Sequence, residues 1–356
     1  MLTTLAIIFV FGSMVIIHEF GHYIVAKWYG VKVLEFSFGF GPKIVGYQGK
    51  ETLYSLRLIP LGGFVKLYGM DAEFDDNGKE VIVPIHDARS FMNKPVLQRM
   101  AVIAAGPIMN FVLAIILFVC VFAYLGIPTA GTSNQVGSLV SEMPAVASGI
   151  QPGDKILAVN NEPTPDWSRL TEVIHSKPDQ LLSLTIERAE GQQQQTVLVK
   201  TEKDVQTGYG MIGIAPEITY AHASILQSAR LGLERTLDFT KYIIVALAQM
   251  ITGKIPADVG GPVMIAQVIG EGVRQGLANL LSLTGILSIQ LGLINLFPIP
   301  ALDGSRIVFL LLEGVRGKSL NPEKENMIHL MGFVLLMVLM IAVTYKDIMR
   351  LFTKAG

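Results

Sequence analysis

The sequence predicts a multi-pass α-helical membrane protein with four spans, a membrane-associated β-hairpin region and an inserted α+β domain. Of its 356 residues, 51% are hydrophobic and only 16% are charged, whereas a soluble domain carries about 25% charged residues. The net charge of -1 argues against a nucleic-acid-binding protein. The single cysteine, Cys120, excludes a disulfide framework and any zinc site built from several cysteines.

Four stretches are apolar and long enough to cross a hydrocarbon core about 30 Å thick, which takes about 20 helical residues. The first begins at the N-terminus and contains the sequence VIIHEFGHYIVAKW, residues 15–28. Because the N-terminus lacks the basic region and small-residue cleavage site of a signal peptide, we expect this span to be retained. The other three are predicted at Met100 to Gly126, about Leu277 to Pro298 and about Ile328 to Tyr345.

Three segments between the spans have other patterns. Residues 34–70 alternate aromatic or β-branched residues with polar ones, among glycines and prolines, which predicts strands and turns. The acidic residues 71–80 are predicted to form a solvated loop. Residues 130–217 combine alternating strands, a short helix and Pro-Gly turns, and they predict the inserted α+β domain.

Residues 223–253 predict an amphipathic helix at the membrane interface. Polar side chains recur there at spacings of three and four, and leucine and alanine recur likewise on another face. A helix with one charged stripe lies along an interface more readily than it crosses a membrane. The polar positions are Gln227, Arg230, Glu234, Asp238 and Lys241.

The distribution of lysine and arginine predicts the orientation in the membrane. The segment from Lys27 to Arg99 carries ten of these residues, and the short loop expected after the third span carries four more: Arg306, Arg316, Lys318 and Lys324. The positive-inside bias places both clusters in the cytoplasm. The N-terminus and the inserted domain are then outside. The basic C-terminal tail disagrees with this assignment, and the two larger clusters are given more weight.

In the first span, His18, Glu19 and His22 form an HExxH motif among apolar residues. Positions i and i+4 lie on one face of a helix, so both imidazoles can bind one metal ion. The Glu19 carboxylate stands beside them, where it could act as a general base on a water molecule activated by zinc. Such a short motif arises by chance in soluble proteins. Ionisable groups at the centre of a membrane helix each cost roughly 2.5–3.5 kcal/mol, however, and this cost indicates a functional site.

A catalytic zinc site has three protein ligands, and Asp303 is the predicted third. It follows the third span in the sequence NLFPIPALDGSR, where two prolines break the helix. If residues 223–253 stay on the surface, the first and third spans run parallel and bring Asp303 to the depth of the two histidines. The remaining histidines are expected to be solvated or interfacial: they are His86, His175, His222 and His329.

These motifs together resemble the bacterial branch of the site-2 protease family, the intramembrane zinc metalloproteases with one PDZ domain. HEFGH, GFGP, PLGGFVKL, AAGPIMNF, GGPVMIAQ and NLFPIPALDG are similar to family motifs, in the family's order and over nearly the whole chain. The resemblance implies that His18, His22 and Asp303 are the zinc ligands. Glu19 is then the catalytic base.

The resemblance also implies substrate or oxyanion contacts for four further residues: Asn295, Asn110, Gly62 and Gly63. The alternatives are an interhelical hydrogen bond for Asn295 and a packing contact in the core for Asn110. The hairpin region at 34–70 could hold an unwound substrate by adding it as a strand, or it could be structural only.

The resemblance divides the chain into a first catalytic membrane half at 1–126, a PDZ domain at 130–217, the interfacial helix at 223–253 and a second catalytic half at 260–356. It implies a metalloendopeptidase of the bacterial inner membrane, with the active site toward the cytoplasm and the PDZ domain outside. Substrates would be single-span proteins or signal-peptide remnants, such as anti-sigma factors, trimmed first by a site-1-type protease.

Two other functions are compatible with parts of the sequence: an inactive membrane-anchored PDZ scaffold and a metal transporter. A scaffold has no need of an intact HExxH motif paired with LDG, and a transporter has no need of a peptide-binding domain. Both features therefore favour the protease.

Overall fold

A computed structural model of the chain describes residues 2–70, 73–74, 80–81, 87–131, 133–140, 143–188, 194–204, 207–256, 260–318 and 322–354. The chain divides into two compact units. The membrane unit comprises Met1–Tyr124 and Ser224–Gly356, and the inserted unit comprises Leu125–Ala223.

The helices are α1 Leu2–Trp28, α2 Val96–Leu125, α3 Pro144–Ala147, α4 Trp167–His175, α5 Ile225–Ile251, α6 Pro262–Arg274, α7 Leu277–Leu296, α8 Asp303–Arg316 and α9 Pro322–Lys354. A short 3-10 helix, Phe91–Asn93, precedes α2. Among the described residues, four helical segments are long and apolar enough to cross a membrane: α1, α2, α7 and Lys324–Arg350 of α9.

The strands are β1 Val33–Gln48, β2 Leu53–Leu67, β3 Glu73–Phe74, β4 Glu80–Val81, β5 Ile127–Ala130, β6 Val136–Leu139, β7 Lys155–Val159, β8 Glu162–Pro163, β9 Leu181–Glu187, β10 Gln194–Lys200, β11 Glu202–Lys203, β12 Gly210–Met211, β13 Ile214–Pro216 and β14 Ile218–Ala221. Strands β3 and β4 pair within the segment predicted to be a solvated loop. The other residues of that loop lie outside the described part of the chain.

In the membrane unit, α2 packs closely against α1 and α7 through small residues. A methyl group at Gly21 of α1 would lie 2.3 Å from the Ala105 carbonyl oxygen of α2. A methyl group at Gly292 of α7 would lie 3.0 Å from the Pro107 carbonyl oxygen. Because lipid removes the hydrophobic drive for helix association, such close backbone packing is what stabilises neighbouring spans. These contacts bring the HExxH helix and α7 together around α2.

The predicted hairpin region is formed by β1 and β2, and β1 pairs with both halves of β2. Ser37 pairs with Phe64 on one side and with Ser55 on the other. Among the described strands, only β1 pairs with residues 63–67, so their other edge is open. The far end of the hairpin exposes large apolar side chains, including Ile44 and Tyr47. Such exposure is typical of a surface that contacts lipid.

Helix α5 is amphipathic, as predicted for this segment, and begins with a capping box in which Ser224 and Gln227 satisfy each other's backbone N–H groups. Its buried side is a row of small residues, Ser228, Gly232 and Thr236, while the rest is mostly exposed. A methyl group at Gly232 would lie 3.1 Å from the backbone carbonyl of Ile115, so this row packs on α2. An interfacial position for α5 stays a prediction.

The connection after the third span is not the short loop that was predicted, because Asp303–Arg316 form helix α8. Asp303 lies in its first turn and Arg316 in its last, which suits the helix dipole, and Gly317 ends it in the left-handed conformation. Ile307 and Leu310 pack on a core shared with α1 and α2.

A buried ion pair joins α8 to α2. Arg99 of α2 donates two hydrogen bonds to the Glu313 carboxylate, with Nη1 at 3.1 Å from Oε2. The Arg99 side chain is only 5% exposed. Paired, hydrogen-bonded charges are tolerated in such surroundings, whereas a single one is not. The pair therefore ties α8, which begins with Asp303, to the helix that packs beneath the histidines.

Two further features of the C-terminal half differ from the prediction. One is helix α6, which the sequence did not predict and which has Pro262 at its first position. The buried Asp347 of α9 accepts a hydrogen bond from the Met264 N–H in the first turn of α6, at 2.9 Å. The fourth span belongs to a helix of 33 residues, longer than the predicted apolar stretch. Most of the stability of such helices comes from tertiary packing, which short-range sequence patterns do not report.

The inserted unit has its own core. Its main sheet has the strand order β10-β9-β7-β8, and α4 packs on it, with Asp166 capping the start of that helix. Buried Asp154 is paired with Arg188, which holds the turn before β7. Strand β5 at the start of the unit pairs with β14 at its end. With the four apolar helices and the β1-β2 hairpin, this α+β unit confirms the predicted fold class.

Candidate metal centre

Three ligand-type side chains from α1 and α8 meet in the membrane unit. His18 Nε2 and His22 Nε2 lie 3.1 and 3.4 Å from Asp303 Oδ2, and the two Nε2 atoms are 3.3 Å apart. A tetrahedral zinc ion with ligands at about 2.0–2.1 Å has its donor atoms roughly 3.3 Å from one another. The three predicted ligands therefore already have the spacing that zinc requires.

The surroundings of these atoms also fit a cation. Both histidines are buried, and Asp303 Oδ2 is buried without a hydrogen bond of acceptable geometry, although two imidazole nitrogens lie close to it. Burial by itself raises the pKa of the Asp303 carboxyl, but the adjacent imidazoles of His22 and His18 outweigh burial and hold this pKa well below its ordinary value. A buried carboxylate oxygen without a hydrogen bond is costly, and a metal ion bound by it would remove the cost.

His22 is oriented by a backbone group of α2. Its Nδ1 lies 2.9 Å from the Val102 carbonyl oxygen. A carbonyl can only accept a hydrogen bond, so Nδ1 carries the proton and Nε2 keeps its lone pair for a metal. The sequence offered no sign of Val102, because any residue type presents the same carbonyl.

Asn110 lies behind His18. It is completely buried, and its amide nitrogen is 3.2 Å from His18 Nδ1, while its Oδ1 has no hydrogen-bond partner within the described structure. The two ends of an amide are distinguished by their hydrogen bonds. If the amide oxygen and nitrogen exchange places, Oδ1 accepts the Nδ1–H of His18, and Nε2 of His18 is then able to bind a metal. This placement does not support the predicted substrate contact.

Glu19 and the edge strand at 63–67 lie side by side. A methyl group at Gly63 would be 3.0 Å from Glu19 Cγ and 2.7 Å from the Ser37 carbonyl oxygen, so only glycine allows this approach. The Glu19 carboxylate makes no hydrogen bond to any part of the chain that the structure describes. It is therefore available to exchange a proton with a bound molecule.

A cavity of about 690 Å³ opens onto these groups. One wall is the stretch 62–67 of β2, which includes both glycines that were assigned a substrate contact. Asn295 lies on another wall, where its amide donates one hydrogen bond to the Leu291 carbonyl at 3.0 Å. The three predicted ligands and the predicted base all face this cavity: His18, His22, Asp303 and Glu19.

His329 is not solvated, which was one of the two environments expected for it. Its side chain is only 14% exposed, and its Nδ1 accepts a hydrogen bond from the Ala301 N–H at 3.1 Å. Its ring stands edge-on to Phe309. His329 lies near one end of a predicted span, and the sequence does not show that it contacts the segment before Asp303.

Gly106 of α2 lies directly beneath the two histidines. A methyl group there would be 2.3 Å from His22 Nε2 and 2.9 Å from His18 Nε2. Its place within the motif AAGPIMNF does not reveal this contact. The two imidazoles can therefore take these positions only because residue 106 has no side chain.

We expect Gly106→Ala to lower the affinity for zinc by about 10–100-fold, the range seen when residues that orient metal ligands are changed. The added methyl group would push the imidazole donors out of position. Zinc retained after dialysis against a weak chelator measures the effect. Gly12→Ala in α1 is the matched control, because its nearest contact would be Phe38 Cζ at 3.6 Å. Equal zinc retention by the two variants would contradict the prediction.

The sequence matches one described protein family over nearly its whole length. The model of the family described as peptidase family M50 matches residues 6–339. The zinc metalloprotease RasP of Geobacillus kaustophilus is 33% identical over 420 aligned positions that cover 98% of each chain. The regulator of sigma-W protease RasP of Bacillus subtilis is 31% identical, covering 98% of this chain and 99% of the relative.

Among solved structures, the chain is similar to the PDZ domain of an SdrC-like protein from Listeria monocytogenes. The match has 20% identity and a TM-score of 0.21, and it covers 25% of this chain and 90% of that domain.

Proposed function

Because the chain belongs to peptidase family M50 and is a zinc metalloprotease, we propose that His18, His22 and Asp303 hold the zinc ion. The single observation that carries this proposal is the separation of 3.1–3.4 Å among the three donor atoms. When bound, zinc acts as a Lewis acid toward the substrate carbonyl and activates water. Glu19 is proposed as the general base.

Glu19 would take a proton from the attacking water and pass it to the leaving amine. This role needs a carboxylate that reaches the cavity and is not already bound by the protein. Its position next to the proposed ligands on α1 and against Gly63 supports the role, because the base, the ligands and residues 63–67 then line the same cavity. Asn295 is proposed to contact the substrate or its oxyanion through its second amide hydrogen.

For Asn110 we propose a different role from the one the sequence suggested. Its amide orients His18 from behind rather than contacting substrate, because it is fully buried against Nδ1. Gly62 and Gly63 are proposed to contact the substrate through their backbone, because both line the cavity and a side chain at Gly63 would press on Glu19.

The open edge of residues 63–67 supports substrate binding by strand addition. A peptide bond inside a membrane helix is shielded by its own hydrogen bonds, so the substrate must unwind before hydrolysis. Unwound backbone in a bilayer needs new hydrogen-bond partners at once. An edge strand beside the metal centre offers them and holds the peptide extended.

The proposed substrates are single-span membrane proteins or signal-peptide remnants. One relative is named a regulator of sigma-W protease, which supports anti-sigma factors as one class. We further propose that a site-1-type protease trims such substrates first and that the PDZ domain at 130–217 acts as a size filter.

The proposed location is the bacterial inner membrane. The basic segment from Lys27 to Arg99 and the basic residues of α8 favour a cytoplasmic active site, and the inserted domain is then extracytoplasmic. The proposed division is two catalytic halves, at 1–126 and 260–356, separated by the PDZ domain and the interfacial helix at 223–253.

The experiment uses the full chain in proteoliposomes with a single-span model substrate that carries either a long or a short outer domain. We expect zinc-dependent cleavage, mapped by mass spectrometry to the transmembrane helix or its border, and faster for the short form. A soluble peptide with the same cleaved sequence is the control. Zinc-loaded protein that leaves both membrane substrates intact would overturn the proposal. Equal rates for the two forms would overturn only the prior trimming.

A further inference from the structure

The segment that carries Asp303 to the metal centre contains a residue in an unfavourable conformation. Ala301 has φ +79°, the left-handed region that residues with a side chain rarely adopt. It lies two residues before Asp303, between the end of α7 and the start of α8. Such a conformation persists only when surrounding contacts hold it.

Local hydrogen bonds hold part of this segment. The Ile299 N–H donates to Phe297, and the Leu302 N–H donates to Ile299. The Ala301 N–H instead donates to His329 Nδ1 at 3.1 Å, across 28 residues of sequence. The hydrogen bond to His329 is therefore the long-range contact made by the backbone of the left-handed residue itself.

Helix α9 is packed tightly enough on this segment for His329 to act as a fixed acceptor. A methyl group at Gly332, one turn further along α9, would lie 2.5 Å from the Pro300 carbonyl oxygen. The His329 ring stands edge-on to Phe309 of α8. Because Nδ1 accepts, the proton is on Nε2, which lies 3.8 Å from the nearest carboxylate oxygen, that of Glu325. That distance is too long for a hydrogen bond.

We propose that His329 is a positioning residue: its Nδ1 holds Ala301 in the left-handed conformation, and this sets the start of α8 so that the Asp303 carboxylate reaches the metal centre. The proposal rests on the proposed function, in which Asp303 is a zinc ligand. His329 acts through the backbone and does not touch the metal or the substrate. An imidazole serves here because Nδ1 is a rigid acceptor on a short side chain.

The test separates the acceptor from the bulk of the ring. In His329→Asn, the side-chain oxygen can take the place of Nδ1; in His329→Gln, the amide extends toward the position of Nε2; and His329→Leu has no acceptor. Zinc release from the purified full chain to a chromophoric chelator is the readout. We expect release about tenfold faster or more in the Gln and Leu variants. We expect the Asn variant to stay within about threefold of wild type.

A second variant tests the backbone. Ala301→Gly removes the cost of the left-handed conformation, so in the His329→Leu background it should recover part of the slow zinc release. Faster release in the double variant than in His329→Leu alone would overturn the proposal. Ala301→Gly alone should release zinc at about the wild-type rate.

Three results are distinguishable. Wild-type zinc release in folded His329→Leu protein would overturn the inference, and so would equal losses in the Asn and Leu variants. If the Leu variant does not fold, the Asn and Gln pair decides the question by the same comparison. Asp303→Ala is the reference: if it keeps zinc as wild type does, the proposed metal centre itself fails.

Discussion

Glu19→Gln should slow peptide-bond hydrolysis by about 10³-fold while leaving the bound zinc unchanged, since a general base contributes about 10²–10⁴-fold. Glutamine has nearly the shape of glutamate but cannot take a proton from water. The three donor atoms of the metal centre come from other residues, so the ligand set remains complete. Cleavage of a single-span substrate and the zinc content of the purified protein are measured on the same preparation.

The two measurements separate a base from a ligand. Lost activity with a wild-type zinc content supports the base. Lost activity together with lost zinc would assign Glu19 to the metal instead, and unchanged activity would remove it from the mechanism. Gly63→Ala offers a related check: its methyl group would lie 3.0 Å from Glu19 Cγ, so it should also lower activity while zinc stays bound.

The histidine pair was predictable because its geometry is local. Residues four apart on a helix share a face wherever the helix lies, and an apolar span makes two histidines and a glutamate expensive unless they function. Asp303 was harder to predict as a partner of these histidines, because it lies 281 positions after His22 in the sequence. It could be predicted only by combining a helix broken by prolines with the family motif.

The groups that orient the ligands were not predictable. The Val102 carbonyl and the space at Gly106 act on His22 only because α1 and α2 come close enough for Gly21 to touch Ala105. A sequence pattern shows which residues share one face of a helix. It does not show how closely two helices pack, and these contacts depend on that distance. The role of His329 likewise depends on how α9 packs on the segment before Asp303.

The same distinction explains the missed helices. Spans α1, α2 and α7 are predictable from the sequence, because a helix that crosses a bilayer must have a long apolar stretch. Helix α8 is stabilised by Arg99, from a helix 214 residues away, pairing with Glu313. Helix α6 begins at a site capped by Asp347. Both helices are therefore consequences of tertiary packing that short-range patterns do not contain.

Asp303→Asn should lower the affinity for zinc by about 10²-fold and reduce proteolysis with it. Four-ligand structural zinc sites contribute about 10–16 kcal/mol, so one ligand accounts for roughly 3 kcal/mol, which is about 10²-fold in affinity. The amide keeps the size of the carboxylate but loses its charge. Zinc also stabilises whatever folded state binds it, so added zinc should raise the unfolding temperature of the wild type more than that of the variant.

Asp347→Asn is the matched control for removing a buried carboxylate. Asp347 is 4% exposed and accepts the Met264 N–H at the start of α6, and it is not one of the three clustered ligands. We expect this variant to lose stability but to keep its zinc. If Asp303→Asn held one zinc per chain through dialysis, or if both variants lost zinc equally, Asp303 would not be the third ligand. The spacing of the three donor atoms would then be a result of packing alone.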